Sequence, residues 1–172
     1  MKVDETDGVG FSPEPVLIGV VAPDASAASQ ILRLYINDVA SRYYGRQATD
    51  DEIDAALRED PSIDLAPPSG AFLVASQRGV VLGCAGMRFL PERVGEVKRL
   101  FVAPAARGRG LGARLMGELE TIARGHAVSV LRLDTRHDLV ESRRLYATLG
   151  YVEVPAFNDG RYAEHWLAKS LV

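Results

Sequence analysis

The residues of this sequence whose types and spacing could do chemistry form one short segment, Arg107-Gly108-Arg109-Gly110-Leu111-Gly112. Three glycines within five residues allow the backbone to take positive φ angles and to come close to a ligand. An apolar pattern of helical spacing follows, and the start of a helix offers unpaired N–H groups and a partial positive charge. Arg107 and Arg109 add two fixed cations. The pattern therefore predicts a loop that binds a phosphate or pyrophosphate group.

Two other interpretations of this segment remain open. It could be a glycine-rich connection whose arginines are solvated. It could also be a dinucleotide fingerprint, because Gly108, Gly110 and Ala113 match G-x-G-x-x-A and Asp134 ends the next predicted strand. Against the fingerprint, residues 103–107 separate the preceding strand from the first glycine, and only 60 residues follow Gly112, which is short for the remaining strands of such a fold.

The composition is that of an ordinary globular protein. With 172 residues, 47% hydrophobic and 25% charged, the chain is expected to form one domain around one core. Its 20 basic and 23 acidic residues give a net charge of −3, so we expect no general binding to nucleic acid or to anionic membranes. Cys84 is the single cysteine and no Cys/His spacing resembles a zinc site, so we expect no intrachain disulfide, no metal centre and a reducing, cytoplasmic location.

The N-terminal region divides into a tail and the start of the domain. Residues 1–15 are acidic, contain two glycines and two prolines and show no periodicity, so we expect a disordered tail followed by a domain over residues 16–172. The apolar run over residues 16–22 is too short to cross a membrane and predicts a first strand. The acidic residues before this run disfavour a secretory signal.

The elements that must position the glycine segment follow from periodicity and turn residues. In the strand before the segment, the alternation of side chains predicts that Glu96, Lys98, Leu100 and Val102 share one face. Thr49 and Glu52 have the spacing of a capping box at the start of a helix. Helices are predicted over residues 25–44, 50–58, 111–125 and 139–149, and further strands over 71–76, 80–89, 128–134 and 151–154, with a last strand ending at residue 171.

Several motifs in fixed order resemble those of the GNAT N-acetyltransferase superfamily over residues 71–154. The resemblance implies a single-domain α/β (α+β) fold with a central mixed, mostly antiparallel sheet flanked by helices. It also implies transfer of an acetyl group from acetyl-CoA to a primary amine, by direct attack in a ternary complex, and a possible homodimer. The motifs are Lys98-Arg99-Leu100-Phe101-Val102, Pro104, the glycine segment, Leu145-Tyr146 and Leu149-Gly150-Tyr151.

The same resemblance implies roles for individual residues. Tyr146 would protonate the departing CoA thiolate, and Leu139 stands where many members have an asparagine that contacts the cofactor, so that contact is not expected. The backbone of Leu100, Phe101 and Val102 would pair with the pantetheine arm. The backbone N–H groups that would hold the pyrophosphate belong to Arg107, Gly108, Arg109, Gly110, Leu111, Gly112 and Ala113.

Alternatives remain for the two predicted catalytic side chains. Tyr146 shares a helical face with Leu139 and Leu149 and could be a packed tyrosine whose hydroxyl is satisfied. Glu96 is the candidate general base for the amine, but it could instead be a structural carboxylate paired with Lys98, in which case water or another group takes the proton. The acceptor would be a small-molecule or peptide amine. A non-catalytic acyl-CoA-binding or regulatory module on the same fold is the alternative function.

Overall fold

The computed structural model describes residues 14–172, so the tail predicted over residues 1–15 lies almost wholly outside the described part of the chain. The predicted elements are present, with ends that differ by no more than two residues. The described strands are β1 (Leu17–Val20), β2 (Gly70–Gln77), β3 (Val80–Leu90), β4 (Val94–Val102), β5 (Val130–Thr135), β6 (Val152–Glu153) and β7 (His165–Ser170). The α-helices of this region are α1 (Ser26–Tyr44), α2 (Asp50–Glu59), α3 (Leu111–Gly125) and α4 (Val140–Thr148).

One sheet organises the described chain, in the strand order β1-β2-β3-β4-β5-β7-β6. Neighbouring strands are antiparallel except β4 and β5, which are parallel. The predicted mixed, mostly antiparallel sheet flanked by helices is thereby confirmed. A dinucleotide fold needs a mainly parallel sheet, so the strand directions exclude that interpretation of the glycine segment.

Two apolar layers pack on opposite faces of the sheet. On one face α3 buries Leu115 and Leu119 completely, within a cluster that includes side chains of β2, β3 and β5. On the other face Ile31 of α1 is fully buried against Phe72 and Cys84. Each such aliphatic side chain contributes roughly 1.5–3 kcal/mol to folding. The sheet is therefore packed between α1 and α3. Helix α3 begins at the glycine segment.

Local sequence signals set the ends of several elements. The Thr49 hydroxyl accepts a hydrogen bond from the Glu52 N–H at 3.3 Å, and the Glu52 carboxylate accepts one from the Thr49 N–H at 2.9 Å, which is the predicted capping box. At the β2–β3 turn, Arg78 and Gly79 have φ angles of 52° and 77°. Two consecutive positive φ angles are typical of the two-residue hairpin turns that match strand twist.

The prediction that Glu96, Lys98, Leu100 and Val102 share one face of β4 is wrong, because a bulge interrupts the strand. Arg99 has a φ of +59°, and the pairing register with β3 slips between Cys84 and Gly86. Beyond the bulge, Leu100 and Val102 pack in the layer of α3. Val97 also belongs to that layer, so its neighbours in the regular part of the strand, Glu96 and Lys98, point to the opposite face.

The parallel strands β4 and β5 pair only near their starts. The pairing runs from Val94 with Val130 to Glu96 with Arg132, after which β5 continues alongside β7 alone. A gap therefore opens between the carboxyl halves of β4 and β5, and the backbone of residues 97–102 on that side has no strand partner among residues 14–172. None of the helices in the described region combines the length and apolar character needed to traverse a bilayer.

Candidate functional site

The glycine segment forms a tight loop in which two of its glycines are required by backbone conformation. Gly108 and Gly110 have φ angles of +75° and +72°, and a Cβ at either position would meet no heavy atom within 4 Å. Their need for glycine is therefore conformational rather than steric. Gly112 differs, because a Cβ there would lie 2.8 Å from Cδ2 of Leu145, so its glycine permits α3 to approach α4 closely.

The loop is followed directly by the start of α3, where backbone N–H groups are unpaired. Gly110 is the N-cap of α3, and the first helical hydrogen bond runs from the Arg114 N–H to the Gly110 carbonyl at 3.1 Å. The N–H groups of Leu111, Gly112 and Ala113 consequently have no backbone acceptor within residues 14–172. They open into a cleft of about 260 Å³ between the loop, β4, α1 and α4, which we call the glycine-loop cleft. Such a helix start favours an anion.

The two arginines of the segment differ in their contacts with the rest of the protein. Arg107 donates to the Val102 carbonyl at 2.9 Å and lies 3.4 Å from the Asp38 carboxylate of α1. Arg109 is exposed, and its side chain forms no ion pair in the described part of the chain. Arg107 therefore braces the loop, whereas Arg109 is the cation that remains open to an added anion.

The carboxyl half of β4 forms another wall of the glycine-loop cleft. Leu100, Phe101 and Val102 all line it, and their contact with a pantetheine arm stays a prediction. The bulge turns Leu100 and Val102 toward the layer of α3, and the missing partner on the β5 side leaves their backbone edge open. An open strand edge can pair with an extended ligand as an added strand would.

A second cleft, of about 270 Å³, adjoins the first. We call it the tyrosine cleft because five tyrosines line it: Tyr35, Tyr43, Tyr44, Tyr146 and Tyr162. Tyr35, Val39, Leu100, Leu139 and Ser142 line both clefts. A ligand that extends along the first cleft would therefore meet a ligand in the second beside β4 and α4.

Tyr146 is part of the tyrosine cleft. The residue is only 6% exposed, its ring packs 5.7 Å from that of Tyr151, and it lines the tyrosine cleft. Its hydroxyl forms no hydrogen bond with another residue of the range 14–172, and the acid role of Tyr146 stays a prediction. Burial raises the pKa of Tyr146 and keeps the hydroxyl protonated at neutral pH.

Glu96 is placed differently from Tyr146. It is 1% exposed, lines neither cleft, and accepts contacts from three cations: Arg88 at 2.7 Å, Arg132 at 3.1 Å and Lys98 at 3.3 Å. Burial opposes ionisation of the carboxyl, but the charges of Lys98 and Arg88 outweigh it, so the pKa of Glu96 is lowered. These contacts match the structural alternative, and the base role of Glu96 stays a prediction.

Asp134 is a site residue that the sequence analysis assigned only to a dinucleotide fingerprint. It lies near the end of β5, in the wall of the tyrosine cleft, and one carboxylate oxygen accepts from Asn158 at 2.8 Å. In the sequence, the only indication that Asp134 is a site residue is its position at the end of a predicted strand. The structure adds that the gap between β4 and β5 lets it line the same cleft as Tyr146. No group of three or more side chains suited to a metal ion occurs in residues 14–172.

Comparisons with known proteins agree with this geometry. The sequence profile of the acetyltransferase (GNAT) family matches residues 33–151. A curated relative, an IAA acetyltransferase of Azospirillum brasilense, is 40% identical over 90 residues, which are 52% of this chain and 59% of that protein. The chain thus spans about three-fifths of the length of that relative.

Two solved structures share the fold. The putative acyl-CoA N-acyltransferase of Klebsiella pneumoniae superposes with a TM-score of 0.71 at 24% identity, covering 91% of this chain and 98% of that one. The putative acetyltransferase yncA of Salmonella typhimurium, solved with its cofactor acetyl-CoA, gives a TM-score of 0.63 at 21% identity, over 92% and 95% of the two chains. At these identities the likeness establishes the arrangement of elements.

Proposed function

Because this chain belongs to the acetyltransferase (GNAT) family, we propose that it transfers an acetyl group from acetyl-CoA to a primary amine. One observation carries the proposal. The unpaired N–H groups at the start of α3 and the open edge of β4 line one cleft, and that cleft adjoins, at Tyr35, Leu100 and Leu139, a second cleft that Tyr146 lines. A cradle for phosphates, an edge for an extended arm and a proton donor are thus arranged in the order that acetyl-CoA requires.

The cofactor would bind by backbone groups more than by side chains. In this proposal, the N–H groups from Gly108 to Ala113 hold the pyrophosphate, with Arg109 adding charge; the Arg107 N–H, predicted to join them, already donates to the Pro104 carbonyl at 3.3 Å. The edge of Leu100, Phe101 and Val102 pairs with the pantetheine arm and directs the thioester toward Tyr146. Leu139 lines both clefts with an apolar side chain and supplies no hydrogen bond of its own.

The chain's residues would act at three atoms of the reaction. The amine nitrogen forms a bond to the thioester carbonyl carbon while the bond from that carbon to sulfur breaks. A backbone N–H near Val102 stabilises the negative charge that develops on the carbonyl oxygen. Tyr146, whose hydroxyl burial keeps protonated at neutral pH, donates its proton to the departing thiolate.

The attacking nitrogen must also lose a proton. An alkylammonium has a reference pKa of about 10.4, so at pH 7 exposing its lone pair costs about 4.6 kcal/mol. We propose Asp134 as the acceptor of this proton, since it lines the same cleft as Tyr146 and forms no ion pair within residues 14–172. Glu96, enclosed by three cations, would then hold Lys98 and Arg132 in place.

The test measures thiol release from acetyl-CoA with and without a panel of primary amines, together with thermal shifts for acetyl-CoA, NAD and ATP. We expect a shift with acetyl-CoA alone, amine-dependent release of CoA, and formation of the acetylated amine by mass spectrometry. At a ligand concentration about 100 times its dissociation constant, binding adds about 2.7 kcal/mol to the stability of the folded state. Tight binding without any amine-dependent release would instead support the non-catalytic acyl-CoA-binding module.

A further inference from the structure

The mouth of the tyrosine cleft is built from exposed aromatic rings. Tyr43 stacks edge to face on Tyr44 and on Tyr162, with ring centroids 5.4 and 5.2 Å apart. These three rings are 52%, 45% and 44% exposed, although large apolar surfaces are normally covered. Arginine side chains lie over each ring, which holds the cluster in a fixed shape. The cluster therefore offers a ligand an aromatic wall whose neighbouring rings meet at 73° and 81°.

Each cation that lines this cleft has a carboxylate partner at ion-pair distance, and two of them, Arg99 and Arg136, are nearly buried at 11–12% side-chain exposure. At these two a ligand carboxylate would have to displace an internal partner, which leaves a charge unpaired. Lys98 instead shares its partner, Glu96, with Arg88 and Arg132. The pairs are Arg99 with Asp60 at 2.8 Å, Arg136 with Asp138 at 2.6 Å and Lys98 with Glu96 at 3.3 Å.

Two carboxylates of the cleft, by contrast, have no ion-pair partner in the described part of the chain. Asp134 accepts a single hydrogen bond, from Asn158, and neither it nor Glu59 forms an ion pair with any residue in the range 14–172. Glu52, the remaining glutamate of the lining, is bound by Arg46 at 2.6 Å. The lining therefore has four carboxylates and three cations, and the two charged residues of the lining without an ion-pair partner in residues 14–172 are both acidic.

We propose that the acceptor is a monocationic primary amine carried on an aromatic or apolar body and bearing no carboxylate. The inference rests on the proposed function and names its substrate class. The ammonium group pairs with Asp134 and Glu59, and the body packs on the rings of Tyr43, Tyr44 and Tyr162. A free α-amino acid is disfavoured because its carboxylate, next to the ammonium, would lie beside the unpaired carboxylates of Asp134 and Glu59. Arg161, which lies over the Tyr162 ring and forms no ion pair within residues 14–172, does not line the cleft. A polyamine is disfavoured because it has no body for the rings.

The experiment compares phenethylamine, phenylalaninamide, phenylalanine, butylamine and spermidine by thiol release from acetyl-CoA, at equal concentrations of unprotonated amine. We expect kcat/KM for phenethylamine and phenylalaninamide to exceed that for phenylalanine and for spermidine at least tenfold, and butylamine to fall between. Equal rates for phenethylamine and phenylalanine, or better use of spermidine, overturn this inference while leaving acetyl transfer established. No release with any amine overturns both proposals together.

Variants at the wall provide a second readout. Tyr162→Ala is expected to raise the KM for phenethylamine at least fivefold while leaving the KM for butylamine within twofold, because only the larger body reaches the rings. Val80→Ala, at an exposed apolar position of the β2–β3 hairpin that lines neither cleft, is the matched control and should change neither KM. An unchanged KM for phenethylamine in Tyr162→Ala and in Tyr43→Ala contradicts the role of the aromatic wall.

Discussion

The thiol of Cys84 donates a hydrogen bond to the carbonyl oxygen of Arg99 at 3.1 Å, at the residue whose φ of +59° interrupts β4. On the other side of the bulge, the Arg99 guanidinium donates to the Ser62 hydroxyl at 3.2 Å and pairs with Asp60 at 2.8 Å. The bulge is therefore held through both its backbone and its side chain. Since it turns Leu100 and Val102 toward the glycine-loop cleft, it links the core at Cys84 to the predicted cofactor edge.

Replacing Cys84 should therefore affect both stability and cofactor binding. Cys84→Ala removes the donor to Arg99 and buried volume, so we expect the free energy of unfolding to fall by about 1–2 kcal/mol. The dissociation constant of acetyl-CoA should rise as the bulge relaxes. Cys84→Ser keeps a donor of similar size and should retain the affinity better than Cys84→Ala. Urea unfolding and calorimetric titration measure the two effects, and equal affinities for both variants and the wild type contradict the link.

The glycines of the segment should respond differently to a methyl group. Gly108→Ala and Gly110→Ala impose a left-handed φ on alanine, at about 1 kcal/mol or more each, and should weaken acetyl-CoA binding by distorting the cradle. Gly112→Ala forces contact with Leu145, so its defect should be relieved by adding Leu145→Ala. Relief of Gly110→Ala by Leu145→Ala would contradict this assignment.

Gly117 offers a matched control for those substitutions. It lies within α3 on its exposed side, and a Cβ there would meet nothing within 4 Å. Gly117→Ala should therefore stabilise the protein by about 0.5–1 kcal/mol, as expected for a helix interior, and should leave acetyl-CoA binding unchanged. Differential scanning calorimetry and the same titration distinguish this result from a general effect of altering α3.

Tyr146→Phe removes the proposed proton donor without changing the shape of the core. We expect kcat to fall by about 10²–10⁴-fold, as for the loss of a general acid, with little change in the KM for acetyl-CoA. Because burial raises the pKa of Tyr146, the wild type should show no loss of kcat from this group up to about pH 9. Steady-state kinetics across pH 6–9 give both results.

The neighbouring tyrosine is a matched control for that substitution. The Tyr151 ring packs 5.7 Å from the Tyr146 ring, and its hydroxyl is buried without a partner among the described residues. Tyr151→Phe removes an unsatisfied polar atom, so we expect neutral or slightly higher stability and unchanged kcat. Equal loss of kcat in Tyr146→Phe and Tyr151→Phe would indicate a packing effect and count against the acid role.

Glu96→Gln separates a base role from a structural one. The folded-state pKa of Glu96 is lowered, so its stabilisation is present above the unfolded-state pKa of about 4.3 and is lost as the pH falls through the folded-state value. At pH 7 the variant should lose about 2–4 kcal/mol of stability, because three cations lose their shared partner. Its stability should also depend less on pH below 5, as thermal melts from pH 3 to 7 would show. If kcat falls while the melts are unchanged, Glu96 acts as the base.

Much of this architecture follows from sequence patterns because local chemistry determines it. The capping box at Thr49, the hairpin turn at Gly79 and the helix after Gly110 each depend on a few neighbouring residues. The bulge at Arg99 does not, since a positive φ at a non-glycine residue is imposed by contacts with Cys84 and Asp60 that are distant in sequence. For the same reason, periodicity could suggest Glu96 as a site residue but could not predict its ion pairs with Arg88, Lys98 and Arg132. Nor could it predict that Asp134 and Tyr146 line one cleft.

Asp134→Asn tests the proposed proton acceptor. The amide keeps the shape and can still bond Asn158, but it cannot accept a proton from the ammonium, so kcat/KM at pH 7 should fall by about 10²-fold or more. Asp159→Asn, at an exposed position of the β6–β7 loop, is the matched control and should keep full activity. Because the unprotonated fraction of the amine rises about tenfold per pH unit below its pKa near 10.4, the variant should approach the wild type as the pH rises from 7 to 9.5. A constant ratio across that range, or unchanged activity at pH 7, would show that the proton passes to water or to another group.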